Sequence, residues 1–339
     1  MTATAIAQYV LQPRTVQHSL AQKPRLGDVV MEWLDAFNIG QHTESFFVWV
    51  FLFQHLLAIA IGSFFLLYYV SAINLFWFGL ILLFHIQVFH TFWYHRYCAH
   101  KAFRFRGKIV PFLMMWLNPL ALKEEVYALP HWVHHTLPDT KNDPYGPHFG
   151  FWGSFLALER TFFFNREMNT KTFLTCQKML SHLPTTWNDR EAFQRSGSFE
   201  HPALYPLRFA IANGFWIALF LVAGRPDLLS AWYLAVAIVL IFLRDFSFRG
   251  HDPSTDREQK VDRTSFAVNH WFYGWIVSEW HDNHHRFSSS AKNGFEKYQL
   301  DLTFVLIVVL HRLRIVESYI DSTDAYVRLT SETPASQAT

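Results

Sequence analysis

Four long apolar segments constrain the fold of this chain more than any other feature. Residues 45–70 are almost wholly apolar, and residues 75–92 follow after a short link that carries no charge. Residues 207–222 and 228–243 form a second pair, joined by the tight turn 224–227 (GRPD). A membrane-spanning helix needs about 20 predominantly apolar residues. We therefore predict an all-α integral membrane protein with four transmembrane helices arranged as two hairpins.

Cationic residues cluster after each hairpin. The first group is Arg96, Lys101, Arg104, Arg106 and Lys108, and the second is Arg244, Arg249, Arg257, Lys260 and Arg263. Because cytoplasmic segments of membrane proteins carry an excess of Lys and Arg, we predict that both hairpins return to the cytoplasmic side and that both termini lie there. The membrane would be a bacterial inner membrane or the endoplasmic reticulum. The first group also suits an anionic head group nearby, and the two interpretations are compatible.

Composition argues against several other classes of protein. Charged residues make up 17% of the chain, against a usual value of about 25%. Aromatic residues reach 18%, as expected for a protein with aromatic belts at two membrane surfaces. The net charge of +2 is too small to indicate a nucleic-acid partner. The two cysteines, Cys98 and Cys176, are too few for a disulfide framework, and residues 1–45 lack the apolar run of a signal peptide.

The apolar pattern divides the chain into three segments. These are an N-terminal cytosolic segment at 1–44 with a short helix near 29–37, a membrane domain at 45–315, and a C-terminal tail at 316–339 whose last ~20 residues we expect to fray. Residues 109–122 contain Pro111 and Pro119 and predict a helix that lies on the bilayer surface. Residues 304–310 are apolar but too short to span, which predicts a second interfacial helix. Residues 123–201 are predicted to form a cytosolic helical cap.

Histidines occur in two copies of one pattern. Residues 131–135 (HWVHH) and 281–285 (HDNHH) each place imidazoles at i, i+3 and i+4, which on an α-helix puts all three on one face. A third group contains His95 and His100. The predicted topology places all three groups on one side of the membrane, just beyond the ends of spans. We therefore predict a metal site that they share.

The number of histidines limits the choice of metal. The candidate ligands are His95, His100, His131, His134, His135, His270, His281, His284 and His285. Imidazole binds Fe, Zn, Cu and Ni, but a zinc ion takes four ligands at a structural site and usually three at a catalytic one. Eight or nine ligands suit two octahedral ions. Soluble di-iron bundles use Glu-x-x-His pairs, and none occurs in this sequence.

The spacing within the first group leaves two registers open. Residues five apart diverge by about 140° on a regular α-helix, so His95 and His100 converge only if the helix ends or loosens there. His90 precedes His95 by the same interval. The pairs His90/His95 and His95/His100 are therefore both candidates. Arg96 and the basic, aromatic sequence after His100 favour the second.

These three groups resemble the histidine boxes of membrane fatty-acyl desaturases, most closely the stearoyl-CoA (delta-9) type. The similarity extends over about 45–315 and includes the motifs at 142–144 (NDP), 284–287 (HHRF) and 297–301 (KYQLD). It implies a mushroom-shaped, four-span protein with a cytosolic cap that holds two iron ions. It further implies O2-dependent introduction of a C=C double bond into a fatty acyl chain, which would lie in a bent, buried tunnel.

Two stretches depart from the family pattern. The family often has Asn-x-x-x-His before the third box, where this chain reads VNHWFYG at 268–274. If Asn269 matches, the His position is Tyr273; if His270 matches, the Asn position is Phe266. We favour His270 as a ligand and Asn269 as a catalytic group that orients a ligand or holds water.

The second departure precedes the second box. There, residues 127–130 (YALP) replace the Trp and charged residues common in the acyl-CoA branch. The candidate forms of the acyl substrate are free acid, CoA thioester, acyl carrier protein thioester and lipid, and this departure makes the CoA thioester the least favoured of them.

Electrons must come from another protein. The chain has neither a Gly-x-Gly-x-x-Gly after a strand nor the His-Pro-Gly-Gly of a fused cytochrome b5. We expect a ferredoxin, cytochrome b5 or reductase to dock on the cap.

Other reactions fit the same residues. Within the same chemistry, the alternatives are a fatty acid decarboxylase that forms a terminal alkene and an acyl or alkane hydroxylase. A zinc-dependent membrane lipid hydrolase would need only three or four of the histidines.

Overall fold

The computed structural model describes residues 3–10, 25–40, 45–120, 122–145, 150–156, 164–251 and 269–332. Within them the fold is mostly helical. The α-helices before the third span are α1 (Ala3–Ala7), α2 (Leu26–Asp35), α3 (Ser45–Phe64), α4 (Ala72–Phe84), α5 (Ile109–Leu117), α6 (Glu124–Thr136), α7 (Gly150–Leu156), α8 (Thr170–Leu180) and α9 (Arg190–Ser196). Those that follow are α10 (Leu204–Val222), α11 (Pro226–Arg249), α12 (Trp271–Val277), α13 (His281–Arg286), α14 (Leu302–Arg312) and α15 (Thr323–Glu332).

Four helices are long and apolar enough to cross a membrane. They cover Phe46–Tyr69, Ala72–Ala99, Leu204–Val222 and Pro226–Phe246. The predicted four-span membrane fold is confirmed, and the second span is longer than predicted. It continues beyond α4 as a π-helix, His85–Ala99, just as α3 continues into a shorter π-helix, Phe65–Tyr69.

Polar contacts and one close approach hold the spans together. The Asn213 side chain on α10 donates to Gln54 on α3 at 3.2 Å and accepts from the Tyr233 hydroxyl on α11 at 2.7 Å. All three groups are buried, where an unpaired polar group would be costly. A Cβ at Gly62 would lie 2.8 Å from the backbone of Leu234, so glycine lets α3 and α11 approach closely. This frame fixes the span ends from which the cap extends.

The predicted cap and surface helices are present. Helix α5 exposes Ile109, Phe112 and Leu113, as a helix on a bilayer surface would. Helices α6, α8 and α9 lie within the predicted cap, and α1 contacts both α6 and α8. Helix α2 matches the short helix expected near 29–37, and α14 is an apolar helix too short to span.

The C-terminal region is more ordered than predicted. Strand β1 (Phe103–Phe105) pairs antiparallel with β2 (Val316–Tyr319), a small sheet that the all-α prediction did not include. Helix α15 follows, and its Tyr326 ring stacks on Phe295 at 4.7 Å. The expectation of a frayed tail is therefore wrong as far as residue 332, because buried Val316 and Tyr326 pack against the domain. Residues 333–339 lie outside the described part of the chain, as do Arg257, Lys260, Arg263 and Phe266 of the sequence analysis.

Candidate metal centre

The π-helix at the end of the second span explains how His95 and His100, five residues apart, can lie close together. In a π-helix each N–H bonds to the carbonyl five residues earlier, and the His100 N–H donates to the His95 carbonyl at 3.1 Å. The wider turn brings residues five apart closer together than an α-helix would. The rings of His95 and His100 are accordingly 4.8 Å apart.

The second histidine group lies in the last turns of α6, as its spacing predicts. A buried network of charges fixes the start of this helix. Lys123 pairs with Glu125 at 2.7 Å, and Arg208 on α10 pairs with Glu124 at 3.1 Å and Glu200 at 2.6 Å. Because buried charges must be paired, this network anchors α6 to the third span.

The third histidine group forms α13, a helix of six residues. Its first turn is capped from a distance by Asn269, whose Oδ1 accepts from the Asp282 N–H at 2.9 Å. Asn269 is buried. The structure therefore shows this residue, which we predicted to be catalytic, holding the backbone of the third group in place.

Nine of the described histidines converge in two adjacent clusters. The five-histidine cluster comprises His95, His100, His131, His135 and His284, and the four-histidine cluster comprises His134, His251, His281 and His285. In each cluster the candidate donor atoms all lie within 4.8 Å of one another. The clusters touch, since the rings of His135 and His285 are 4.2 Å apart.

The two repeated patterns are divided between the clusters in the same way. The i and i+4 histidines of α6, His131 and His135, join the five-histidine cluster, whereas His134 between them joins the other. In α13 the pair His281 and His285 joins the four-histidine cluster, and His284 crosses to the first. The sequence predicted that the three imidazoles of each pattern lie on one helix face and contribute to a shared site. In the structure, the imidazoles of each pattern are divided between two clusters.

Distances between ring nitrogens fit octahedral ions better than tetrahedral ones. The Nε2–Nε2 separations are 3.0 Å for His95–His284, 2.9 Å for His100–His131, 3.1 Å for His131–His135, 2.8 Å for His135–His284 and 2.8 Å for His251–His281. With metal–nitrogen distances of about 2.0–2.1 Å, two ligands at 90° stand about 2.9 Å apart, and two at the tetrahedral angle about 3.3 Å apart. The measured separations therefore match ligands at about 90° to one another.

Carboxylates behind the clusters select the tautomer of several ligands. Asp143 accepts from His134 Nδ1 at 2.8 Å, and Asp139 accepts from His251 Nδ1 at 2.9 Å. A carboxylate can only accept when ionised, so each Nδ1 carries the proton and each Nε2 presents a lone pair. This arrangement is the usual support of a metal-binding imidazole.

Burial keeps most of these imidazoles neutral. It lowers the pKa of His131, His135 and His284 well below the ordinary value, and that of His100 to about 3. His134 is the exception. Burial lowers its pKa, but the carboxylates of Asp143, Asp139 and Glu279 together raise it by more, so the net direction is upward. Neutral imidazoles are the form that binds metal.

His251 is a candidate ligand that the sequence analysis missed. It lies two residues beyond α11, just as His100 lies one residue beyond the second span, so its position past a span end was the available signal. The preceding residue is Gly250, and there is no room for a larger side chain at that position. A Cβ there would lie 2.8 Å from His281 Nε2, the atom that faces the metal position.

His270, by contrast, lies in neither cluster. It forms the N-cap of α12, and its ring contacts Tyr273 at 5.0 Å. Tyr273 in turn donates to Asp245. The geometry therefore favours His251 over His270 as the ninth ligand, because His251 lies within the four-histidine cluster and His270 lies in neither cluster. His90 is also outside the clusters, and its Nε2 lies 3.1 Å from the Tyr127 hydroxyl.

Comparison with known proteins agrees with this geometry. The family profile for fatty acid desaturases matches residues 74–305, a stretch that contains all nine clustered histidines. The chain is 26% identical over 281 residues to delta-9 desaturase-like 2 protein of Arabidopsis thaliana, an alignment that covers 80% of this chain and 86% of that protein. It is 25% identical over 259 residues to acyl-CoA 5-desaturase AL21 of Anemone leveillei, with 70% and 69% covered.

The name of a third relative specifies a lipid-bound acyl chain instead of an acyl-CoA. This is the chloroplastic palmitoyl-monogalactosyldiacylglycerol delta-7 desaturase of Arabidopsis thaliana, 26% identical over 231 residues, which cover 66% of this chain but 56% of that protein. The match to the family profile extends over the clustered histidines, nearly all of the second span, and the third and fourth spans.

Proposed function

The chain belongs to the fatty acid desaturase family, and we propose that it is an O2-dependent di-iron oxidoreductase that introduces a C=C double bond into a fatty acyl chain. One observation carries the proposal. Two touching clusters of buried and half-buried imidazoles have Nε2–Nε2 separations of 2.8–3.1 Å, which match neighbouring ligands on an octahedral ion. A zinc-dependent hydrolase would use three or four of these histidines, and nothing in that reaction needs the rest.

Two iron ions, when bound, would supply the oxidation that removes hydrogen from an unactivated methylene. The protein's own residues hold most of the imidazoles neutral and oriented. They also shield the centre from water, since His95, His134, His281 and His284 are nearly fully buried and His100, His135 and His285 are half-buried. Exclusion of water protects a reaction of this kind from side reactions.

The acyl chain would reach the centre from the bilayer. His95 lies in the last turn of the second span and His251 just beyond the fourth, so the centre stands at the membrane surface where two span ends meet. We propose that this surface is the cytoplasmic one, because Lys101, Arg104 and Arg106 follow the second span. The carrier of the acyl chain is one of the four forms set out in the sequence analysis.

An external electron donor would dock close to the five-histidine cluster. A cleft of about 1150 Å³ is lined by four cations and a single carboxylate, namely Lys101, Arg104, Arg106, Lys108 and Glu317. Tyr97 and His182 also line it. Because Lys101 follows His100 directly in the chain, an acidic ferredoxin or cytochrome b5 in this cleft would be one residue from a metal ligand. Charge reversal at Arg106 and Lys108 should raise the KM for the donor and leave the KM for the acyl substrate unchanged, with Arg328→Glu on α15 as control.

The reaction itself is tested by product analysis. Membranes containing the protein would receive O2, an electron-donor system and a labelled acyl chain supplied as free acid, CoA thioester, acyl carrier protein thioester or lipid. A desaturase yields a product of unchanged carbon number that has lost two hydrogens. A terminal alkene one carbon shorter, or a hydroxylated chain, would assign the protein to one of the two alternative oxidations. Hydrolysis without O2 would contradict the proposal.

A further inference from the structure

We propose that Glu279 is a positioning residue shared by both metal sites. This inference rests on the proposed function, because it requires an ion in each cluster. Glu279 is nearly fully buried and lies two residues before the third histidine group. Its two carboxylate oxygens reach one histidine of each cluster, which makes it a direct structural link between the two sites.

The two contacts of Glu279 go to opposite clusters. Oε1 accepts from His281 Nδ1 at 2.7 Å, and His281 belongs to the four-histidine cluster. Oε2 lies 3.3 Å from His95 Nδ1, and His95 belongs to the five-histidine cluster. The His95 contact is longer and less well aligned than a full hydrogen bond. Both imidazoles thereby direct Nε2 away from the carboxylate and toward their own cluster.

The turn that presents Glu279 is fixed by the π-helix that carries His95. Ser278 adopts a left-handed conformation with φ of 55°, and its carbonyl accepts from Arg96 at 2.5 Å. Its hydroxyl donates to Gln87 at 2.7 Å, and Thr91 donates to the Val277 carbonyl at 2.8 Å. The side chains that clamp the turn therefore come from the helix that supplies one of the two histidines.

Arg96 completes this clamp. It is almost fully buried and pairs with Asp301 at 2.8 Å. Because Arg96 joins the Ser278 carbonyl to the π-helix, the backbone that carries Glu279 is held against the helix that carries His95. One carboxylate consequently sets the orientation of a ligand at each site and places its negative charge beside both.

The other carboxylates of the centre provide a natural control. In the described part of the chain, Asp143 contacts the ring of His134 and Asp139 that of His251, and both histidines belong to the four-histidine cluster. Among the described residues, the hydrogen bonds of Asp143 go to His134 and to the backbone N–H groups of Asp139 and Tyr145, and none goes to the five-histidine cluster. Substitution of Asp143 should therefore affect one site, whereas substitution of Glu279 should affect two.

The test compares Glu279→Gln with Asp143→Asn in protein loaded with 57Fe. A glutamine is uncharged and has a single acceptor oxygen, so it cannot place an acceptor beside both Nδ1 atoms. We expect Glu279→Gln to shift the Mössbauer parameters of both irons and to lower iron affinity about 10–100-fold, as loss of a group that orients a ligand does. Asp143→Asn should shift the parameters of one iron alone.

A second variant covers the case in which Glu279→Gln does not fold. Glu279→Asp keeps the charge but is one methylene shorter, so it can hold only one of the two imidazoles. We expect it to shift one iron and leave the other as in the wild type. The inference is overturned if Glu279→Gln changes only one iron or neither, or if Glu279→Asp changes neither. Wild-type protein that binds no iron would instead overturn the proposed function.

Discussion

The five-histidine cluster and the four-histidine cluster share one design but differ in their support. Each takes an i, i+4 pair from one helix and the intervening histidine of the other, α6 or α13. The first then adds two histidines from the π-helical end of the second span. The second adds only His251, from beyond the fourth span. The contrast shows that two identical sequence patterns form clusters of different size, because the span ends add two histidines to one cluster and one histidine to the other.

The supports differ in charge as well as in number. Asp139, Asp143 and Glu279 all contact rings of the four-histidine cluster, whereas the contact shown for the five-histidine cluster is the longer one from Glu279 Oε2 to His95. The site with fewer imidazoles is therefore the one with more carboxylates behind it. We infer that these carboxylates compensate for the missing ligand by orienting the remaining ones.

The largest expected effect comes from removing the ligand that distinguishes the four-histidine cluster. His251→Ala should lower the iron content from two ions per chain to one and reduce turnover by at least about 100-fold, because three imidazoles remain there. His270→Ala is the matched control and should keep both ions. Metal analysis of the purified variants decides between them. If His270→Ala lost an iron and His251→Ala did not, the assignment of the ninth ligand would be reversed.

A smaller effect is expected from filling the space beside His281. Gly250→Ala would place a Cβ 2.8 Å from His281 Nε2, so the ring must move away from the metal position. We expect weaker iron binding at the four-histidine cluster alone, with a loss of about 10–100-fold in turnover.

Gly79→Ala in α4 is the control for this substitution, because a Cβ there has no neighbour within 4 Å. It should bind two irons like the wild type. Unchanged iron binding in Gly250→Ala would show that His281 does not need its observed position.

The smallest effect concerns pH. Burial lowers the pKa of His100 to about 3, so its proton does not compete with metal near neutral pH. The pKa of His134 is raised, since the carboxylates of Asp143, Asp139 and Glu279 together outweigh burial. As the pH falls from 7.5 to 5.5, the four-histidine cluster should lose affinity for Fe²⁺ first, by about tenfold per pH unit below the pKa of His134, because one proton competes with the metal.

Mössbauer spectra of protein equilibrated with 57Fe at stepped pH would measure this difference. The signal of one iron should fall while that of the other persists. Loss of both signals in parallel would contradict the proposed difference between the clusters.

The burial of His251 also predicts how the stability of the metal-free protein depends on pH. It lowers the pKa of His251 to about 4, below the ordinary value, so the unfolded chain binds more protons than the folded one between that pH and about 6.5. The contribution of His251 to stability is therefore complete above about pH 6.5 and declines as the pH falls.

Much of this architecture could be predicted from the sequence, because its signals are long or repeated. Apolar length gave the four spans, and the two His-x-x-His-His patterns gave six of the nine clustered histidines. His95 and His100 were found as well, although their spacing of five made sense only once the π-helix was known.

The remainder depends on tertiary contacts. His251 stands alone in the sequence, and only the path of α11 brings it beside His281. Glu279 is one acidic residue among many, and its role follows from the turn that Arg96 clamps. Strands β1 and β2 are too short for an alternating pattern to show, and their pairing joins residues more than 200 positions apart.

The most direct test of two adjacent metal sites is anomalous X-ray diffraction from the iron-loaded protein, with data collected on both sides of the iron absorption edge. We expect two iron peaks per chain, one among His95, His100, His131, His135 and His284 and the other among His134, His251, His281 and His285. A single peak, peaks elsewhere, or active protein that contains only zinc would contradict the account.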